Sequence, residues 1–342
     1  MMSLDRLKVA IIGCGLIGSK RARWVRENHR TELICAVDTD ISKAKTLAQN
    51  SARAESDWNL ALKAPNIDLV IVSAPNHLLC PVALAALKAG KHVLIEKPMG
   101  RNLKEAETLW QATKISRRKL KIGFNHRYHP AILKAHEIVT SRKIGRILNF
   151  RAVYGHGGRA GYESEWRANP ALAGGGELTD QGIHLIDLMQ WFLGKVERVS
   201  CFLQTAFWKI KPAEDNGFAL FKFKSGALGS FHSSWTQWKN TFVFEVFGEK
   251  GFVRVNGLGG SYGPETLTIV IRKELGKAPE MVKEVFEGED LSWKKEWEDF
   301  VSHAAGDTPS FMGNADEGLQ AMRILDALYR SHKQKKNITL KI

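Results

Sequence analysis

Apolar residues fall in short blocks through the first third of the chain. LKVAII (7 to 12), LICAVD (33 to 38), LVIVSA (69 to 74), HVLIEK (92 to 97) and LKIGFN (120 to 125) are strand-length runs. Between them, SKRARWVREN (19 to 28), LCPVALAALKAG (79 to 90) and LKEAETLWQATK (103 to 114) mix apolar and charged positions at helical spacing. Strand alternating with helix predicts an α/β domain with a parallel, doubly wound sheet. The alternation stops near Phe124, so the expected domains are residues 1–124 and 125–342. Past residue 195, GFALFKFKSGALGSFHSSW (217 to 235) and FVFEVFGEKGFVRV (242 to 255) switch to a period of two with glycine turns, the pattern of hairpins. Helical patterns return at 291 to 305 and 315 to 332.

Composition narrows the class. At 342 residues, 44% hydrophobic and 25% charged, the chain has the make-up of a globular enzyme with two cores. No apolar run approaches the ~20 residues that cross a bilayer, and MMSLDRLKV lacks the apolar region of a secretory signal. The four cysteines form no CxxC pair, so neither a zinc site nor a disulfide framework is expected, and a reducing cytoplasm is the predicted location. Lys and Arg outnumber Asp and Glu by 50 − 36 = 14. The basic residues are dispersed, with no nucleic-acid-binding motif, so the positive potential is read as favouring an anionic small molecule.

GCGLIG sits where the first strand meets the first helix. Gly13 permits the tight turn, Gly15 lets backbone approach a pyrophosphate, and Gly18 lets helix and sheet pack closely. Leu16 and Ile17 complete the loop. Diphosphate then meets a helix N-terminus, where free N–H groups favour negative charge. Asp38 closes the second strand 38 − 18 = 20 residues after Gly18, where a carboxylate receives ribose hydroxyls and repels a 2′-phosphate. NAD is therefore expected rather than NADP.

Four ordered blocks, GCGLIG, APNHLLCPVALAALKAGKHVLIEKP (74 to 98), GFNHRYHP (123 to 130) and EWRANPALAGGGELTDQGIHLID (165 to 187), resemble the Gfo/Idh/MocA oxidoreductases. The resemblance implies an N-terminal Rossmann domain and a C-terminal α/β domain whose open, mainly antiparallel sheet forms a homodimer or homotetramer interface. It adds Ala74, Pro75, Asn76, Glu96 and Lys97 to the cofactor contacts. It also makes Lys97, Asp180 and His184 the catalytic set: His184 the general acid/base, Lys97 the group that holds the reacting oxygen, Asp180 a neighbouring hydroxyl acceptor.

The residues support that set on their own terms. Asp180 and His184 are four apart, which on a helix puts carboxylate and imidazole on one face, and histidine titrates in the range that alcohol oxidation requires. Asp187 is expected to serve structure, while Glu177 brings another acid near the site. Candidate substrate contacts are Asn125, Arg127, Tyr128, Trp166 and Arg167, with His156, Arg159 and Tyr162 in the same glycine-rich stretch. No metal ligand set is present. The expected function is hydride transfer between NAD and a secondary hydroxyl or keto group of a sugar, cyclitol or nucleotide-linked sugar, phosphorylated substrates included. Two alternatives stay open on the same resemblance: a glycosidase that retains NAD, and a non-catalytic sugar or dinucleotide sensor.

Overall fold

The computed structural model describes residues 6–340; residues 1–5 and 341–342, the outer ends of the two expected domains, lie outside the described residues. Two compact units emerge, Met1–Asn125 with Trp293–Gln320 and His126–Ser292 with Ala321–Ile342.

In the first unit, β1 (Leu7–Ile12), β2 (Thr31–Val37), β3 (Arg53–Glu55), β4 (Leu69–Val72), β5 (His92–Glu96) and β6 (Leu120–Gly123) form one sheet in the order β3-β2-β1-β4-β5-β6. Every neighbouring pair is parallel. This is the doubly wound order expected from the strand–helix alternation. β4 reads LVIV with all four residues buried, because helices cover both faces of such a sheet. The intervening helices are α1 (Leu16–Glu27), α2 (Ile41–Ala48), α3 (Trp58–Lys63), α4 (Asn76–Lys88) and α5 (Leu103–Ser116). Asp40 starts α2 by accepting the N–H of Ser42, and Asn102 starts α5 by accepting that of Glu105.

The second unit is built on a nine-stranded sheet. Its helices are α6 (Pro130–Thr140), the short α7 (Pro170–Ala173) and α8 (Ile183–Leu193). Its strands are β7 (Ile147–Gly155), β8 (Val196–Gln204), β9 (Asn216–Phe223), β10 (Leu228–Ser234), β11 (Thr241–Gly248), β12 (Gly251–Asn256), β13 (Glu265–Ile271), β14 (Glu280–Phe286) and β15 (Ile338–Thr339). They run in the order β14-β13-β12-β11-β7-β10-β9-β8-β15. β7 and β10 pair in parallel and the other neighbours antiparallel, so the mainly antiparallel sheet is present. β9 shows why only one face is covered. Ala219, Phe221 and Phe223 are buried while Phe218, Leu220 and Lys222 alternate outward.

α9 (Ser292–Ala304) departs from a boundary at residue 124. Its Trp297, Phe300 and Val301 join Val9, Ile11, Trp24 and Leu94 in the core of the first unit. Lys121 Nζ also lies 3.2 Å from Asp299, and the Ile122 N–H donates to Gly313 O at 2.7 Å. Burial of one apolar helix face thus draws residues 293–320 back to the parallel sheet, which local strand–helix alternation does not reveal. α10 (Ala315–Gln334) follows.

Candidate active site

The glycine turn after β1 has the shape its sequence requires. Gly13 has φ +97°, and a Cβ there would stand 2.5 Å from Ser73 O. A Cβ on Gly18 would stand 2.0 Å from Gly13 O, whereas around Gly15 nothing lies within 4 Å. The open position is the one at the N-terminus of α1. Leu16, on the same turn, is 77% exposed, Ile17 half-buried. Asp38 follows β2, and its carboxylate accepts the N–H of Cys14 at 2.8 Å and of Asp40 at 3.0 Å. Open space at the N-terminus of a helix beside a held carboxylate has the shape and charge that fit the diphosphate and ribose of a dinucleotide. Burial, and then the charge of Asp38, push the Cys14 thiol up to about 12, so it stays neutral.

The remaining candidates of the first unit lie on two neighbouring strand ends. Ser73, after β4, donates its hydroxyl to Gly13 O at 2.7 Å. Ala74 and Pro75 are half-exposed beyond it, and Asn76 is buried where α4 begins. Lys97 follows β5 and is half-buried. Glu96 is engaged by Arg21, whose Nε lies 2.8 Å from its Oε1 and whose Nη1 lies 2.5 Å from Glu296 Oε2. The Glu96 side chain thus anchors α1 to β5. Asn125 is buried at the end of this unit.

In the second unit the stretch GGGELTDQGIHLID is not one regular helix. Leu178–Gly182 forms a π-helical turn, and the α-helix begins at Ile183. Asp180 lies in the turn and His184 in α8, so the four-residue spacing spans a junction of two helix types. π turns of this kind occur often at functional sites. Gly182 lies at the junction in close packing, where a Cβ would meet Leu178 Cδ1 at 2.9 Å and Ser233 Oγ at 3.1 Å. Glu214 fixes the start of the turn: its buried carboxylate accepts the N–H of Gly176 and Leu178 at 3.0 Å and the hydroxyl of Tyr329 at 2.7 Å.

His184 is 5% exposed and stacks on His126, ring centroids 3.9 Å apart and 21° from parallel. Tyr154 packs edge-on against both rings, at 5.2 and 6.2 Å. Burial first, then Tyr262, Glu177 and Asp180, raise the Tyr154 phenol well above 10, so it remains a neutral donor. Asp180 therefore shares Tyr154 as a neighbour with His184. Arg167 Nε lies 3.5 Å from Asp180 Oδ2, and its guanidinium covers the half-buried Trp166 ring at 4.5 Å. Gln181 donates to the Tyr262 hydroxyl at 3.2 Å.

The sequence candidates thus divide. Asp180, His184, Trp166 and Arg167 come together. Arg127 does not reach a ligand-facing surface: it is 2% exposed and donates through Nε and Nη2 to Asp187 at 2.8 and 2.6 Å. That pairing ties the turn before α6 to α8 and gives Asp187 its structural role. Tyr128 is also buried, at 4% exposure. Glu177, expected to bring another acid near the site, is fully buried, its N–H donating to Glu214 O at 2.9 Å and its charge acting on Tyr154. His126, Tyr154 and Tyr262 are the neighbours that sequence reasoning missed. They come from a turn, a strand and a loop that share no local pattern, although the His126 in GFNHRYHP lies in a recognisable block.

Comparison with known proteins decides the family. Residues 7–124 match the oxidoreductase family model with an NAD-binding Rossmann fold, and residues 132–254 match the Gfo/Idh/MocA C-terminal domain. The chain belongs to the Gfo/Idh/MocA oxidoreductase family. Its first unit is an NAD-binding Rossmann domain. Among its relatives, the 1,5-anhydro-D-fructose reductase of Ensifer adhaerens is 32% identical over 69% of this chain and 73% of that protein. The levoglucosan dehydrogenase of Pseudarthrobacter phenanthrenivorans is 30% identical over 59% of this chain, a match spanning 58% of that relative's length. A crystal structure of an NAD binding oxidoreductase from Klebsiella pneumoniae superposes with a TM-score of 0.88 at 25% identity, covering 99% of this chain and 100% of that one. No helix among the described residues is long and apolar enough to cross a membrane, and no metal-holding cluster occurs among them.

Proposed function

We propose that this Gfo/Idh/MocA oxidoreductase acts on a secondary hydroxyl or keto group of a sugar, cyclitol or nucleotide-linked sugar. The observation that carries the reading is the buried His184, stacked on His126 with Tyr154 edge-on to both rings, on the helix that follows Asp180. An imidazole held this way is oriented before substrate arrives, which is what proton transfer requires. NAD, when bound, accepts or supplies the hydride. His184 takes the proton of the hydroxyl being oxidised and returns it in reduction. Lys97 donates to the reacting oxygen and steadies its developing negative charge. Asp180, steered by Arg167, accepts a hydrogen bond from an adjacent hydroxyl, and the half-buried Trp166 offers an apolar ring face to the sugar. The relatives named as acting on anhydrosugars support the substrate class.

The same reading extends to assembly and location. Phe202, Phe218, Leu220 and Leu228 are each more than half exposed on the outer face of the nine-stranded sheet. That apolar face fits a second copy of the chain, as dimer or tetramer. All four cysteines are buried free thiols, in keeping with a reducing cytoplasm.

The test is absorbance at 340 nm with NAD or NADP and a panel of sugars, inositols, sugar acids and nucleotide sugars. Growth with one class identifies the dehydrogenase and its substrate together. Demonstrable NAD binding without growth on any member favours the NAD-retaining glycosidase or the sensor.

A further inference from the structure

The loop after β8 presents aromatic rings to solvent in a fixed arrangement. Thr205, Ala206, Phe207, Trp208, Lys209 and Lys211 line an open depression of about 440 Å³. The backbone beneath it is pinned: the buried Asp215 accepts the N–H groups of Ala206, Phe207 and Trp208 at 2.8, 2.8 and 2.9 Å. Thr205 donates to Ala213 O at 2.7 Å, and Trp208 Nε1 to Trp235 O at 3.0 Å. On this rigid base Phe207 is 60% exposed, and it meets Trp238, 65% exposed, edge to face at 4.9 Å. Trp238 has φ +55°, a left-handed conformation that a bulky residue adopts only where the surroundings enforce it.

Such a surface costs solubility and conformational freedom with no core to show for it, and its charge points to an occupant. Lys209, Lys211 and, beside Trp238, Lys239 are exposed and make no ion pair among the described residues. The substrate stretch adjoins the depression. The Trp208 ring lies 5.8 Å from that of Tyr162, which feels the charge of Asp180. A Cβ on Gly158 would stand 2.3 Å from the Trp208 ring, so the glycine-rich loop lies directly against it. Exposed ring faces take a planar heterocycle by stacking, and flexible lysines take phosphate charge.

We propose that this depression is a subsite for the nucleoside phosphate portion of a nucleotide-linked sugar. The inference rests on the reading that the second unit binds the sugar to be oxidised, and it selects one member of that substrate class. The depression has the size of small-molecule sites. The aromatic pair supplies binding that does not depend on which base is present, and the lysines make it sensitive to salt.

Calorimetric titration of the full chain at saturating NAD tests it, with uridine diphosphate, thymidine diphosphate, inorganic pyrophosphate and a neutral aryl glucoside as probes. The saturating cofactor keeps the probes out of the dinucleotide site. Both nucleoside diphosphates are expected to bind about tenfold or more tightly than pyrophosphate or the aryl glucoside. Phe207→Ala, Trp238→Ala and the double change Lys209→Glu with Lys211→Glu are each expected to weaken them about tenfold. Absence of nucleoside diphosphate binding, or binding unchanged in all three variants, overturns the subsite. The activity panel separates the two readings. Free sugars oxidised as well as their nucleotide-linked forms overturn the subsite and leave the dehydrogenase standing. Nucleoside diphosphate binding that the variants abolish, with no sugar oxidised in either form, supports the subsite while the dehydrogenase reading falls.

Discussion

The Cys14 N–H donates to Asp38 Oδ2 at 2.8 Å, so the glycine loop proposed to cradle the diphosphate also aims the carboxylate proposed to face the ribose. With Oδ1 held by the Asp40 N–H at 3.0 Å, both oxygens have fixed lone-pair directions. On that proposal, cofactor position and cofactor choice are coupled through one side chain.

Asp38→Ser removes the charge and one ribose acceptor. A hydrogen bond to a charged group contributes roughly 1.5–3 kcal/mol, so kcat/KM for NAD is expected to fall about 10- to 100-fold. Loss of repulsion against a 2′-phosphate is expected to narrow the preference for NAD over NADP. Steady-state kinetics with both cofactors checks this, and an unchanged ratio would remove Asp38 from the discriminating role.

His184→Asn retains the size of the side chain and loses its proton chemistry. Turnover is expected to drop about 10² or more, with NAD affinity largely kept. Single-turnover absorbance and a separate NAD titration distinguish this from a folding defect. Turnover equal to the parent's would show that the proton moves elsewhere.

Arg127 and Asp187 test the difference between a ligand group and a support. Both are buried, at 2% and 1% exposure, so removing one leaves an uncompensated charge. Asp187→Ala is expected to cost about 3–5 kcal/mol in urea unfolding. Replacing both, Arg127→Met with Asp187→Leu, is expected to recover much of that loss. A stable Arg127→Ala protein with only a raised substrate KM would instead make Arg127 a substrate contact.

His92 gives the first unit a pH dependence. Burial, then the charges of Arg118 and Lys119, lower its pKa from 6.5 to about 4, and its Nδ1 accepts the Lys119 N–H at 3.2 Å. The folded form holds this ring neutral, whereas the unfolded chain protonates it below 6.5. Stability is therefore full above 6.5 and is lost as pH falls from 6.5 to about 4. After discounting for partial exposure the loss is roughly 1–2 kcal/mol. Melting temperatures of the parent and His92→Gln between these pH values check it: the variant is expected to show a shallower acid slope, and identical slopes would exclude His92 as a cause.

The parts of this molecule that were legible in the sequence are those written in a short window. Strand, glycine turn, helix and acid at 7 to 38 are local, and Gly13 and Gly18 are there for contacts within the same turn or the adjacent strand. The nine-stranded sheet announced itself through period-two runs such as that of β9. What stayed hidden depends on distant encounters. Nothing near His126 says that its ring lies on His184, and Tyr154 meets Tyr262 only once β7 is placed in its sheet. A spacing of four reads as α-helix whether or not a π turn intervenes, so the junction at Gly182 was invisible as well. Arg127, expected as a substrate contact, and Asp187, expected to serve structure, share no local pattern that shows packing buries them together.

The returning segment 293–320 has a consequence for how the protein is made. During synthesis the parallel sheet leaves the ribosome early but lacks Trp297 and Phe300, two large side chains of its core. Nearly the whole chain must be translated before the nucleotide-binding unit is complete. A fragment ending near residue 124 would expose that apolar seam to solvent. Strands β7 to β14 of the second sheet are in effect an insertion within the sequence of the first unit, and a stop codon late in the message damages the part encoded first.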